Sequence, residues 1–76
     1  MTDSDIDAAI LAVATARWLK VARIIIDAEK RLGTHLQDGD KSAKQVARRI
    51  GVLVGDGRLI AQGDITNWRY SEVRLP

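Results

Sequence analysis

Cysteine and histidine are almost missing from this chain, which has no cysteine and one histidine, His35. Without cysteine the chain forms neither a disulfide framework nor a zinc site built on thiolates. A lone histidine is more often a surface or packing residue than a metal ligand. We therefore expect no bound metal and no cofactor, and the composition fits a reducing cytoplasm.

Long apolar runs are also missing, because no run approaches the roughly 18 residues that a membrane helix needs. The first residues, Met1 to Asp3, are acidic rather than basic, so we expect neither a signal peptide nor a membrane span. A length of 76 residues predicts a single domain, residues 1–76. A domain of this size buries only about 60% of its unfolded surface, which predicts a thin core.

Residues that perform catalysis are equally scarce. The carboxylates stand mostly near predicted helix ends, where capping explains them. The spacing of three glycines resembles that of a phosphate-binding loop, namely Gly51, Gly55 and Gly57. The glycines of such a loop follow a strand and open a helix. Here they close a helix and precede a strand. A chain this small also has little room for an enclosed pocket, so we predict a protein that is not an enzyme.

Apolar residues recur at helical spacing in the first third of the chain. Thr2 and Ser4 are candidate N-caps, and Ile6 opens an apolar stripe that predicts a helix from residue 5 to about residue 14. Thr15 is the candidate N-cap of a second helix, whose buried seam consists of Trp18, Val21, Ile25, Ala28 and Leu32. A second stripe, Leu19, Ala22 and Ile26, makes this helix either the centre of the domain or part of an interface.

The second helix ends at Gly33, a candidate C-terminal glycine, and residues 33–40 form a loop that Leu36 anchors. Asp40 or Ser42 caps a third helix, whose buried face consists of Ala43, Val46, Ala47, Ile50, Leu53 and Val54. The opposite face carries Lys41, Lys44, Gln45 and Arg48, with Arg49 at its edge. Gly51 inside this helix costs about 1 kcal/mol relative to alanine, which a close helix crossing would justify.

The remaining residues predict a β-hairpin. Residues 58–62 form one strand, residues 63–67 a turn, and residues 68–75 the return strand. Val73 and Leu75 face the core, which places Trp68 and Tyr70 on the outer face unless a bulge near Ser71 re-aims them. The predicted fold is therefore α+β, a three-helix bundle followed by a C-terminal antiparallel β-hairpin.

This order of elements resembles a winged helix, whose third helix and hairpin wing often meet nucleic acid. Two features differ from the helix-turn-helix version, namely the long second helix and the connection of seven or eight residues before the third. The chain also resembles an uncharacterised bacterial domain family that often forms the C-terminal part of larger proteins. The residues that carry this resemblance are Arg17 to Arg23, Leu53 to Asp64, and Arg69 to Leu75. The resemblance implies no activity.

The net charge of +2 is unevenly spread along the chain. Residues 1–16 contain three aspartates and no lysine or arginine, whereas residues 41–58 contain five cations against Asp56 alone. A basic stretch of this kind is either the solvated face of a helix or a site for an anionic partner. The leading hypothesis is DNA or other nucleic acid, bound by Lys41, Lys44, Gln45, Arg48, Arg58, Arg69 and Arg74.

A protein partner or a homodimer is the alternative hypothesis. Exposed apolar and aromatic residues commonly mark protein interfaces, and association would compensate for a thin core. The candidate interface residues are Leu19, Ile26, Val52, Ile65, Trp68 and Tyr70.

Overall fold

The computed structural model describes residues 2–33 and 40–76, with Asp40 included through its backbone alone. Its elements confirm the predicted α+β class, with three helices ahead of a C-terminal hairpin, but they add a strand that the sequence did not predict. In chain order they are α1 (Asp3–Val13), β1 (Leu19–Lys20), α2 (Val21–Leu32), α3 (Asp40–Gly55), β2 (Ile60–Gln62) and β3 (Glu72–Arg74). The predictions for His35, Leu36 and the rest of the connecting loop lie outside the described residues.

The start of α1 is a reciprocal cap between Thr2 and Asp5. The Thr2 hydroxyl accepts from the Asp5 N–H at 3.1 Å, and the Asp5 carboxylate accepts from the Thr2 N–H at 3.0 Å. These bonds hold the pKa of Asp5 below its usual value, chiefly because the Thr2 backbone N–H donates to the carboxylate. Thr2 is therefore the N-cap, and α1 begins at Asp3, two residues earlier than predicted.

The predicted start of the second helix is wrong, because α2 begins only at Val21. The Thr15 hydroxyl accepts from the Arg17 N–H at 3.1 Å in a local turn and caps no helix. Leu19 and Lys20 are extended instead and form β1, which pairs antiparallel with β3. Pairing along an adjacent strand satisfies their backbone groups better than an uncapped helix end would.

The hairpin supplies the cap of α2. The Val21 N–H donates to the carbonyl of Ser71 at 3.0 Å, and the Ala22 N–H donates to the carbonyl of Trp68 at 3.0 Å. Two of the N–H groups that a helix leaves without an internal partner are thus bound by residues about fifty positions later in the chain. No local sequence signal announces a cap of this kind.

Trp18 does not belong to the buried seam in which its spacing placed it. It lies ahead of β1 and is exposed, with the guanidinium carbon of Arg74 5.1 Å from the centre of its ring. The rest of the seam behaves as predicted, since Val21, Ile25 and Ala28 are buried and Leu32 is half-buried. The helix ends at Gly33, whose φ of 76° is left-handed and suits glycine, as predicted.

The sheet is antiparallel and has the order β1-β3-β2, so the last strand lies in the centre. Leu19 pairs with Val73 on one side of β3, and Ala61 pairs with Val73 on the other. Val73 is fully buried and Leu75 is partly buried against the core, which confirms that these two residues face inward. The sheet therefore closes the helical core through the middle residue of β3.

The hairpin strands are shorter than predicted, because residues 63–71, here called the hairpin loop, are not extended. The Asn67 carbonyl accepts from the Tyr70 N–H at 3.1 Å and from the Ser71 hydroxyl at 2.7 Å, which coils the segment. Gly63 begins it with φ of 80°, and a Cβ there would lie 2.8 Å from the Tyr70 carbonyl oxygen. Neither Trp68 nor Tyr70 therefore lies in a strand, although the sequence predicts one for both. The predicted outer position is wrong for Trp68, which packs against the core, whereas Tyr70 is exposed as predicted.

The core joins all three helices and the central strand. Ser42, the third residue of α3, is buried and donates its hydroxyl to the Glu29 carboxylate at 2.7 Å, which ties α3 to α2. Ser42 thus lies inside α3 and is not its N-cap, whereas the prediction for Asp40 concerns a side chain outside the described part of the chain. The buried apolar residues are Ile6, Ala9, Ile10, Ala14, Val21, Ile24, Ile25, Ala28, Val46, Ile50, Leu53, Leu59 and Val73.

Over the described ranges, no helix combines the length and the apolar character that crossing a bilayer requires.

Candidate functional site

Helix α3 presents four different surfaces around its circumference. Its buried face contains Val46, Ile50 and Leu53. Because each residue advances about 100° around a helix, the residues on the opposite side form one ridge. That ridge consists of Lys41, Gln45, Arg48 and Val52, all of them exposed. The two flanks between the ridge and the core face α1 on one side and the hairpin loop on the other.

The flank toward α1 is an ion-pair network built on Arg49. Its Nε lies 2.9 Å from Asp7 Oδ1 and its Nη2 lies 2.8 Å from Asp7 Oδ2, which is a two-pronged contact. Its Nη1 also reaches Asp3 Oδ2 at 3.3 Å. Only 16% of the Arg49 side chain and 15% of the Asp7 side chain are exposed, so this arginine is largely withdrawn from any partner.

The electrostatics of this network agree with its geometry. Hydrogen bonds from the Arg49 side chain hold the pKa of Asp7 below its usual value, and the charge of Arg58 acts in the same direction. The Asp7 carboxylate in turn raises the pKa of Arg49. Arg49 therefore holds α1 against α3, and Arg58 contributes charge on this same side of the molecule.

Arg48 is shared between the ridge and this network. Its Nη2 lies 3.5 Å from Asp3 Oδ1, but 62% of the Arg48 side chain and 52% of the Asp3 side chain are exposed. Exposed pairs of this length contribute little, because water screens them and the side chains lose rotational freedom. An anionic ligand could displace Asp3 from Arg48 at small cost.

The flank toward the hairpin loop is concave. Between α3 and the loop lies a groove of about 340 Å³, here called the loop groove. It is lined by Lys44, Ala47, Arg48 and Gly51 of α3 and by Ile65, Thr66 and Trp68 of the hairpin loop. Within the described part of the chain Lys44 forms no ion pair, so the groove has an apolar lining with one free cation and one weakly paired cation on its α3 side.

The loop side of the groove is held by Asp64. One of its carboxylate oxygens accepts from the Thr66 hydroxyl at 2.7 Å and from the Thr66 N–H at 3.0 Å. These bonds, the hydroxyl bond first, hold the pKa of Asp64 below its usual value. A carboxylate bound to its own turn in this way fixes the loop that carries Ile65.

Gly51 faces the loop across the groove and not another helix. A Cβ at this position would meet Ile65 Cδ1 at 3.8 Å, which is ordinary van der Waals contact. The expected close helix crossing is therefore absent from the described contacts, and alanine would fit at this position. The glycine leaves the groove wider than packing requires.

The seven predicted nucleic-acid contacts are divided among different surfaces. Lys44 and Arg48 meet at the loop groove, with Lys41 and Gln45 beside them on the ridge, and Arg69 is exposed in the hairpin loop. Arg74 lies instead on β3, where it covers Trp18 and donates to the Leu75 carbonyl at 3.1 Å. The structure thus gathers four of these residues along one side of α3.

The predicted interface residues are also divided. Tyr70 is the most open, with 76% of its surface exposed, and Ile26 and Val52 are exposed as well. Leu19, Ile65 and Trp68 are partly buried and contact the core.

Sequence reasoning missed Ala47, Gly51 and Thr66 in the groove and the roles of Asp3 and Asp7. The three aspartates at the start of the chain, set against the basic third helix, were the signal for that pairing.

Comparison with protein-family models, with curated proteins and with solved structures gave no match. The resemblance to an uncharacterised bacterial domain family accordingly stays a prediction.

Proposed function

We propose that this domain is a non-catalytic module that binds nucleic acid through α3 and the hairpin loop. The observation that supports it is the exposed cationic side of α3, where Lys41, Lys44 and Arg48 follow one another at helical spacing. Among the described residues neither lysine has an ion-pair partner. Lysine and arginine side chains of this kind bind phosphates and release counterions from the nucleic acid, which provides affinity.

The position of the hairpin also supports this proposal. The hairpin loop lies beside α3, so that a third helix and a loop between two strands form one continuous surface. That arrangement agrees with the resemblance to a winged helix. Gln45, exposed on the ridge among the cations, has an amide suited to a base edge.

The positions and contacts of the basic residues limit the number of phosphates that the domain contacts. Arg49 is held by Asp7, Arg74 covers Trp18, and the charge of Arg58 acts on Asp7 on the α1 side. We therefore assign the phosphate contacts to Lys41, Lys44, Arg48 and Arg69. Four phosphate contacts correspond to a slope of log affinity against log salt of about −3 to −4. Such a slope predicts modest affinity that is lost at high salt.

The experiment is the affinity of labelled DNA and RNA, measured by fluorescence anisotropy between about 50 and 200 mM salt. We expect Lys44→Gln to weaken binding at low salt and to make the negative slope shallower by about 0.9. The matched control is Lys30→Gln, which removes an exposed lysine from the last turn of α2 and should leave the slope unchanged. A slope near zero for the wild-type chain, or equal losses in both variants, contradicts the proposal.

A protein partner is the second candidate, and the exposed aromatic ring of Tyr70 favours it. Exposed tyrosine is enriched at interfaces because it supplies contact area at low entropic cost. Self-association is the simplest form of this candidate, and light scattering over a range of concentrations measures it. A mass that rises with concentration in the wild type but not in Tyr70→Ala supports a homodimer, and a constant monomer mass excludes it.

A further inference from the structure

The loop groove has a chemistry that an exposed phosphate-binding helix does not need. Ala47, Gly51, Ile65 and Trp68 contribute an apolar lining, whereas Lys44 and Arg48 stand together on the α3 side. The Thr66 hydroxyl is already bound to Asp64 at 2.7 Å. A ligand that fills the groove therefore has an apolar part for the lining and an anionic part for the two cations.

An intact duplex does not present those two parts to a concave surface. Its bases are stacked inside, and the groups that project toward a protein are mainly phosphates and sugars. An unpaired nucleotide presents both parts in one unit, because its base has a flat apolar face and its phosphate is close by. A base can contact aromatic and aliphatic side chains while the phosphate meets lysine or arginine.

The size of the groove limits what enters. About 340 Å³ lies at the small end of the range of roughly 300 to 1,000 Å³ that ligand sites occupy. A helix with its side chains is about 10 Å wide and cannot enter so small a space, whereas one ring system can. Gly51 preserves that space, because packing would allow an alanine there and a larger side chain would extend into the groove.

We infer that the loop groove holds one unpaired nucleotide of a single-stranded nucleic acid, with its base against Ile65 and Trp68 and its phosphate at Lys44 and Arg48. This inference rests on the proposed function and narrows its ligand from any nucleic acid to a single strand or an unpaired segment. An acidic peptide with apolar side chains carries similar groups, but it must order several residues to present them. It is therefore one of the outcomes that the experiment distinguishes.

The experiment compares three labelled probes under one salt condition: a single strand, the same strand in a blunt duplex, and the same strand with abasic sites. The abasic strand keeps every phosphate and lacks the bases. We expect the single strand to bind about tenfold more tightly than the other two, which is within the range for one stacked base. In a Trp18→Phe background, Trp68 is the only tryptophan, and we expect the single strand alone to quench its fluorescence.

Two variants test the groove itself. Gly51→Leu fills the groove and Trp68→Ala removes its aromatic wall, so each should weaken single-strand binding about tenfold and leave duplex binding unchanged. Circular dichroism checks that each variant is folded. If Trp68→Ala does not fold, the binding of Gly51→Leu decides the result. Tyr70→Ala is the matched aromatic control, because Tyr70 is exposed and does not line the groove.

The outcomes separate this inference from the proposed function. Equal, salt-dependent binding of all three probes overturns the nucleotide site and leaves nucleic-acid binding intact. Absence of binding to every probe overturns both. Binding of an acidic leucine-containing peptide that Gly51→Leu abolishes, in a chain that binds none of the oligonucleotides, makes the groove a protein site and overturns the inference.

Discussion

Both flanks of α3 carry basic side chains, but those side chains make different contacts on the two flanks. On the flank toward α1, Arg49 is 16% exposed and is held by Asp7 and Asp3. On the flank toward the hairpin loop, Lys44 is exposed and has no ion-pair partner within the described residues, and Arg48 is 62% exposed. Arg48 and Arg49 are neighbours in the chain, yet one is available to a ligand and the other connects two helices.

The difference shows that a count of basic residues does not measure a binding surface. An arginine that a carboxylate already holds in two-pronged geometry gains little by moving to a phosphate, because it would leave that carboxylate without its partner. Lys44, beside the apolar groove, has no such competitor among the described residues, and the exposed pair of Arg48 with Asp3 is a weak one. The partner on the facing element therefore decides whether a charge stabilises the fold or remains for binding.

The largest expected effect is on the free energy of unfolding and concerns the core residues that lie between the two flanks. Ile50 lies on the buried face that the flanks share, and Ile50→Ala should lower the free energy of unfolding by about 2 to 5 kcal/mol. This loss approaches the whole stability of a small domain, so the variant should be partly unfolded at room temperature. Urea unfolding followed by circular dichroism measures it. Val52→Ala, on the exposed ridge, is the control and should change stability by no more than about 0.5 kcal/mol. Similar midpoints for the two variants would contradict the assigned core.

A smaller effect concerns the flank toward α1 alone. Asp7→Asn replaces the carboxylate of the Arg49 pair and should cost about 1 kcal/mol near neutral pH, because the pair lies near the surface, where water screens part of its attraction. The pKa of Asp7 is lowered in the folded state, from an ordinary value of 3.8, mainly by the Arg49 side chain. Its stabilisation is therefore complete above that value and is lost as the pH falls through the lower folded pKa.

Unfolding midpoints measured from neutral pH down to about pH 2 test this sign, since that range spans the ordinary pKa of aspartate. The difference between wild type and Asp7→Asn should shrink as the solution becomes acidic. Lys44→Gln, on the other flank, should follow the wild-type curve throughout. A difference that grows in acid would show that Asp7 is not held by Arg49 in solution.

The smallest effect concerns the flank toward the hairpin loop. Gly51→Ala should raise the free energy of unfolding by up to about 1 kcal/mol, because alanine favours the helix and its Cβ makes only ordinary contact with Ile65. Gly63→Ala is the matched comparison and should destabilise the domain, since its φ is 80° and a Cβ would lie 2.8 Å from the Tyr70 carbonyl oxygen. Destabilisation by Gly51→Ala would mean that the groove is narrower than described.

Local patterns predicted the helices well where their ends have local causes. The cap at Thr2 and the stop at Gly33 depend on residues within a few positions, so both could be predicted. The start of α2 depends on the carbonyls of Ser71 and Trp68, and β1 exists only because β3 lies beside it. Helical spacing around Trp18 was therefore misleading, because a distant strand offered those residues better hydrogen bonds.

The candidate site was predicted in part for the same reason. The cations of α3 could be named from their spacing opposite the buried face, and Lys44 and Arg48 lie on the exposed side of that helix. The withdrawal of Arg49 by Asp7 could not be derived, because the two residues are 42 positions apart. The groove was missed because a coiled hairpin loop, and not an extended strand, faces α3.

Amino-acid order by itself determined the three apolar helical faces, the glycine that ends α2 and the basic side of α3, because each depends on contacts between near neighbours. Tertiary structure alone decided where β1 forms, which arginine of α3 is held in ion pairs by α1, and where the loop groove lies. Those features depend on which distant groups meet, and the free energy of a hydrogen bond or ion pair appears only when both partners are in place.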